Sequence, residues 1–217
     1  MDALLRRRQM MLAGGSPTPS IQPVFHKYLV FDGDACIETD IVFPANCSIK
    51  VFLGKESLHV NQGIFNAGDS TNGSIRLFLS NATTKNTRNI AVFYDSTAYL
   101  LGKDLSFSSD EFNCFITPNG YGWGTLFYPY TKGNNHPNAA LAFGTKSGGQ
   151  RYTGSMRDFL VYGSDAAGCQ NASAFSGYTP VITLKPCTYN GENGLWCVET
   201  STFYGNTAGV GQLSVLD

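Results

Sequence analysis

The chain has 217 residues, of which 42% are hydrophobic and 13% aromatic, enough for an ordinary core and too much for wholesale disorder. Only 14% are charged and the net charge is −1, which excludes an electrostatic drive toward nucleic acid or an anionic membrane. Polarity comes from Ser, Thr, Asn and 24 Gly, residues that suit turns and wet strand faces better than surface helices.

Residues 1–23 read as a separate arm and linker. Leu4, Leu5, Met10, Met11 and Leu12 place an apolar stripe on a short helix, with Arg6, Arg7 and Arg8 beside it. The stretch 14–20, Gly-Gly-Ser-Pro-Thr-Pro-Ser, is rich in breakers. An isolated helix of that length is marginal in water, so the segment is a frayed tail unless it docks on a partner as an assembly arm. The apolar stretch behind the arginines is Met10 to Ala13 alone, short of the about 7–15 residues of a signal-peptide core. No window approaches the about 18 apolar residues of a membrane helix, so no membrane insertion is expected.

From Val24 onward short β runs alternate with turn residues. They cover 25–31, 36–43, 48–53, 63–65, 74–79, 89–94, 99–101 and 111–117, then 125–128, 139–143, 155–162, 181–186, 195–199 and 211–215. No helical period is sustained between them, which excludes a βαβ arrangement and predicts one all-β domain over 24–217. The absence of a fixed-period repeat argues against a propeller or solenoid.

Cys36, Cys47, Cys114, Cys169, Cys187 and Cys197 form no CxxC pair and no Cys/His ligand spacing, so no metal site is expected. Three of them sit in strand-like runs, where a thiol serves as a small apolar residue. Reduced thiols are the expectation, with a disulfide left open.

Catalytic chemistry finds little footing. Glycoside hydrolysis needs two carboxylates flanking one bond; the nearest candidate, Glu38-Thr-Asp40, lacks a third acid. Asp110 and Glu111 are adjacent and would face opposite ways on a strand. His26, His59 and His136 could act as bases, but no Gly-x-Ser-x-Gly elbow accompanies them. Asp32, Asp34, Asp69, Asn66 and Asn72 could offer oxygen to calcium, though Asp and Asn are ordinary turn residues. No enzyme activity and no cofactor are expected.

Glycan binding has the better residues. In Asn119 to Pro137, the rings of Tyr121, Trp123, Tyr128 and Tyr130 alternate with small residues, and Asn134 and Asn135 follow. Sugars stack their C–H faces on such rings while amides pair with hydroxyls. The competing reading packs the same rings into the sandwich core.

Four segments, taken in order, resemble the concanavalin A-like, laminin-G-type jelly rolls of Bacteroidetes proteins and of their phages and prophages. The first is Tyr28 to Ile41, similar to an opening strand pair with a Phe-Asp-Gly turn. Ile64 to Gly68 followed by Ile75 to Leu79 is similar to the central hairpins. The third is Ala140 to Gly144 followed by Tyr152 to Tyr162, a returning strand. The last, Leu184 to Asn206, is similar to a C-terminal extension of bacterial and phage members. The resemblance implies a jelly-roll sandwich of two antiparallel sheets behind a short N-terminal arm. It further implies a virion structural protein (a head fibre or a capsid- or tail-associated decoration) assembled in the bacterial cytoplasm. Its partners would be other virion proteins through the arm and cell-surface glycans, with self-association left open. The alternative is a free-standing carbohydrate-binding module of a gut bacterium at the cell surface.

Overall fold

A computed structural model describes residues 21–54, 62–68, 74–80, 87–94, 97–106, 111–130, 140–144 and 152–217. The expectations placed on Leu4 to Leu12, His59, Asp69, Asn72, Asp110, Asn134, Asn135 and His136 lie outside these residues.

The strands in chain order begin with β1 Val24–Phe25, β2 Tyr28–Asp32, β3 Ile37–Glu38, β4 Ser48–Gly54, β5 Gln62–Gly68 and β6 Ser74–Ser80. There follow β7 Thr87–Tyr94, β8 Thr97–Ser106, β9 Glu111–Thr117, β10 Gly120–Trp123, β11 Leu126–Pro129 and β12 Leu141–Phe143. The last are β13 Thr153–Tyr162, β14 Ile182–Tyr189, β15 Glu192–Cys197, β16 Thr202–Tyr204 and β17 Leu213–Leu216. They build two antiparallel sheets. The smaller runs β3-β12-β5-β6-β7-β8, and the larger follows the path β11-β10-β9-β4-β13-β14-β15-β16.

The larger sheet forks at β13. Thr153 to Met156 pair with β2, whose other edge takes β17, while Phe159 to Val161 pair with β14. A register shift between Met156 and Phe159 in the β13–β4 ladder marks the bend. Beyond the fork β14 carries β1 on one edge and β15 on the other, so the β14–β15–β16 meander stands as its own wall.

The main core fills the space between the sheets. Ile49, Val51 and Leu53 of β4 alternate inward and are buried, as period-two strands require. Phe159 sits at its centre, edge-on to Phe65 of β5 and Phe143 of β12, with centroids at 4.9 and 5.0 Å. A smaller cluster lies on the outer face of the larger sheet. There residues 163–178, with 3-10 turns at Ser164–Gly168 and Ala174–Gly177, lay Phe175 against Phe115 and Tyr162. Lys50 ties the segment down by donating to the Ala172 carbonyl at 2.8 Å.

The all-β expectation holds, and several boundaries move. The run 25–31 is two strands, because β1 follows β14 and β2 follows β13 on the two arms of the fork. The run 36–43 keeps only Ile37–Glu38 as strand. Thr39 Oγ1 donates to the Leu141 carbonyl and accepts the Ile41 amide, a local pairing that competes with the ladder. The opening "pair" is therefore no pair: β2 lies in the larger sheet and β3 in the smaller. Gly120–Trp123 and Thr202–Tyr204 are strands that the run pattern did not predict. The central hairpin does form, with β5 and β6 antiparallel from Gln62↔Leu79 to Gly68↔Ser74.

Candidate functional site

The Gly-Tyr-Gly-Trp sequence of β10 sets an aromatic ladder at one edge of the larger sheet. Alternation sends Tyr121 and Trp123 to the inner face and Gly120 and Gly122 to the outer one. A Cβ at Gly122 would collide with the Leu126 carbonyl and the Phe115 ring, and one at Gly120 with Phe127. The glycines thus let Phe115 and Phe127 stack flat against the outer surface, at 6.4 Å and 2°.

On the inner face the rings run in series. Tyr94 of β7 meets Tyr130 at 5.5 Å, Tyr130 meets Tyr121 at 5.6 Å, Tyr121 meets Tyr128 at 5.8 Å, and Tyr128 meets Trp123 at 5.4 Å. The last three contacts are stacked, within 27° of parallel. The ladder spans the two readings left open by the sequence. Tyr121 is only 5% exposed and packs with the core, stacked against its register partner Tyr128 and its neighbour Tyr130. Tyr130 is partly buried, and its hydroxyl donates to the Thr117 carbonyl, fixing the ring. Trp123 and Tyr128, also partly buried, are the outermost rungs. Leu126, 47% exposed, continues the apolar edge on β11.

His26, Asp32 and Asp40 are each held by side-chain hydrogen bonds within the fold. His26 bonds the Asp217 carboxylate through Nδ1 at 2.7 Å and Thr188 Oγ1 through Nε2 at 3.0 Å. Asp32 accepts the amides of Asp34, Ala35 and Gln212. Asp40 accepts the Tyr204 hydroxyl at 2.5 Å, and Tyr204 is held well above its ordinary pKa by burial and then by that carboxylate. Among the described residues no three His, Cys, Asp or Glu side chains gather as a metal site, and no helix is long and apolar enough to cross a membrane.

A second aromatic surface was missed by the sequence reading. Register places Lys185, Trp196 and Phe203 in one row across β14, β15 and β16, with Tyr189 opposite Glu192 at the turn. Tyr189 lies 5.2 Å from Trp196 and 5.6 Å from Phe203, all three rings partly exposed on the outer face. Beside them a cleft of about 350 Å³ is lined by Glu192, Asn193, Asn206 and Gln212 with the backbone of Gly191 and Gly211. The signal was present in the sequence as Tyr-Asn-Gly-Glu. Asn190 and Gly191 take φ of 52° and 82°, the two-residue hairpin turn that fixes which rings share a face.

No family model matches this chain, and no curated protein matches it in sequence. Among solved structures it is similar to a Bacteroides ovatus protein provisionally assigned to carbohydrate binding, at TM-score 0.56 and 12% identity. That likeness covers 90% of this chain, which spans 62% of the other's length. Weaker likenesses are to the heptameric SAP-like pentraxin of Limulus polyphemus and to a congerin II single mutant. The first has TM-score 0.47 and 11% identity over 67% of this chain and 83% of that one. The second has TM-score 0.33 and 15% identity over 58% and 98%. The strand order, the two antiparallel sheets and the first likeness together make the fold a jelly-roll β-sandwich.

Proposed function

We propose that the chain is a glycan-binding module without catalytic activity, carried on a phage virion by its N-terminal arm. The observation that carries the glycan reading is the aromatic ladder, which begins in the core at Tyr94 and Tyr121 and ends in partly exposed Trp123 and Tyr128. Rings anchored in a core make a rigid platform, so little ordering entropy opposes a sugar that stacks on them. The jelly-roll fold agrees with this use without requiring it.

Two features support the virion setting. Residues 1–20 supply a basic, apolar-striped segment suited to a groove on another structural protein. All six cysteines are buried free thiols, as suits a chain that folds in a reducing cytoplasm. The free-standing alternative draws on the likeness to the B. ovatus protein. The non-enzymatic reading rests on Glu38-Thr-Asp40 lacking a third acid in the sequence, with Asp40 already engaged by Tyr204.

The intact protein should be retained on a glycan array with no turnover of the retained glycan. Trp123→Ala should weaken that retention while lowering stability by less than the about 3–5 kcal/mol of a fully buried ring. An array on which nothing is retained rejects the glycan reading. Deleting residues 2–15 should leave the β domain folded yet unable to enter particles; incorporation at wild-type level rejects the anchoring role.

A further inference from the structure

We infer that the outer face of the β14–β15–β16 wall, together with the cleft beside it, is a second glycan site, one that takes a short neutral oligosaccharide. This rests on the glycan-binding reading above but uses different residues at a different place in the fold.

The aromatic part is built to be flat. Phe203 lies down on the sheet only because two of its neighbours are glycine. A Cβ at Gly194 would collide with the Tyr204 carbonyl and come within 2.8 Å of the Phe203 ring, and one at Gly205 would stand 3.1 Å from that ring. Tyr189 meets both Trp196 and Phe203, so the three rings form one continuous surface. None is fully buried, unlike the core rings of Phe31, Phe65 and Phe159. The Trp196 indole N–H donates to no described residue, which leaves it for a hydroxyl.

The polar part adjoins it at Glu192. An ideal Cβ at Gly205 would lie 3.4 Å from Glu192 Oε2 and 3.1 Å from the Phe203 ring, so the carboxylate stands at the seam between rings and cleft. Glu192 is exposed and bonds no described residue; the Gln212 carboxamide across the cleft is likewise exposed and unengaged. The rest of the cleft is braced internally. Asn193 Nδ2 donates to the Leu213 carbonyl at 3.0 Å, and its Oδ1 accepts from Thr188 Oγ1 at 2.8 Å. Asn206 Nδ2 donates to the carbonyls of Val210 and Gly211, and its Oδ1 accepts the amides of Cys36 and Ala208. A rigid frame thus presents one acceptor-only carboxylate and one amide that both donates and accepts, the pair a sugar hydroxyl needs.

Charge and length narrow the ligand. Glu192 lines the cleft and Asp32 anchors its far wall through the Gln212 amide, so an anionic sugar is repelled. Lys185 stands at the opposite end of the face, in register with Trp196. From the Tyr189–Glu192 pair to the Lys185–Trp196 pair is four residues, about 13 Å at the strand rise. That length suits a short oligosaccharide lying along β15, its apolar face on the rings and its hydroxyls at Glu192 and Gln212.

The test uses the full chain and neutral gluco-, manno-, galacto- and xylo-oligosaccharides, with oligogalacturonate as the acidic counterpart. Binding is read by calorimetry and by tryptophan fluorescence. The chain has two tryptophans, so Trp123→Phe reports Trp196 alone. In that variant a neutral oligosaccharide should perturb the fluorescence. Trp196→Ala, Glu192→Gln and Gln212→Ala should each weaken the calorimetric signal assigned to this site about tenfold or more. Glu192 and Gln212 are exposed, so their variants keep the fold even if Trp196→Ala does not. If neutral glycans bind and only Trp123→Ala reduces the affinity, this site is rejected while the glycan reading stands. Binding confined to oligogalacturonate rejects the neutral specificity. If neither neutral nor acidic glycan binds, the glycan reading falls and this site with it.

Discussion

Asp32 shows how one side chain fixes two distant stretches. Its Oδ1 accepts the amides of Asp34 and Ala35 at 2.9 Å, closing the turn after β2, and its Oδ2 accepts the Gln212 amide at 2.5 Å. The loop ahead of β17 must therefore press against that turn, and it does so at Gly211, where φ is 72° and a Cβ would collide with the Asp34–Ala35 backbone. Gly124 has a similar φ of 55° with open space around it. The two positions separate backbone strain from steric exclusion. Gly124→Ala should lower the unfolding free energy by about 1–2 kcal/mol, the left-handed penalty alone. Gly211→Ala should lower it by more and should also distort the cleft wall. Urea unfolding of the pair measures the difference, and equal losses would show that the Asp32 turn yields freely.

Among the elements, β13 and β14 decide the architecture. β13 carries Phe159 into the centre of the core, and its bend near Met156 releases β14 to form the separate wall. Pro186 sits inside β14 without breaking it. Its carbonyl accepts the His26 amide at 3.0 Å, so its nitrogen faces the same side, in the gap between the β13 and β1 pairings. A missing N–H there removes no bond to β15, which is how proline is tolerated within a sheet. The same wall carries Trp196 and Phe203 on its outer face and Leu184 and Leu195 in the core. Residues 163–178 do a different task, covering an outer face that would otherwise expose Phe115 and Tyr162.

At the scale of the molecule, thiols do the work that branched aliphatics do elsewhere. All six cysteines are buried and unpaired. Burial pushes the Cys47 thiol up to about 12 and Cys187 up to about 11, with Cys114 raised further. A thiol whose folded pKa is raised stabilises the fold fully below its unfolded pKa and loses that contribution as pH rises through the folded value. The urea midpoint should accordingly stay level from neutral pH to about pH 8 and fall between about pH 9 and 11. Tyr204, raised by burial and by Asp40, acts in the same direction. Thiolate absorbance from Cys47 and Cys114 should appear only with unfolding. A native protein that gains it from Cys47 or Cys114 without unfolding would show that those thiols are accessible.

Composition and alternation determined the fold class, because a chain poor in charge and rich in Gly, Asn, Ser and Thr between apolar runs has few ways to bury its strands except sheet on sheet. The runs 48–53 and 155–162, which hold Val51 and Phe159, were legible as strands for that reason, and the β5–β6 hairpin through its resemblance to the central hairpins of the family. The candidate site was legible only in composition. The segment holding Tyr121, Trp123, Tyr128 and Tyr130 was read as aromatic, yet period-two spacing puts Tyr121 and Trp123 on the same face and cannot say how far each lies from the edge. Tertiary structure decided that, by laying Tyr94 of the other sheet against Tyr130 and closing Tyr121 in. Tyr189, Trp196 and Phe203 are separated by turns in sequence, and only the register of β14, β15 and β16 brings them to one surface. Local patterning is set by neighbours along the chain, whereas a binding face is set by which strands the fork of β13 allows to lie side by side.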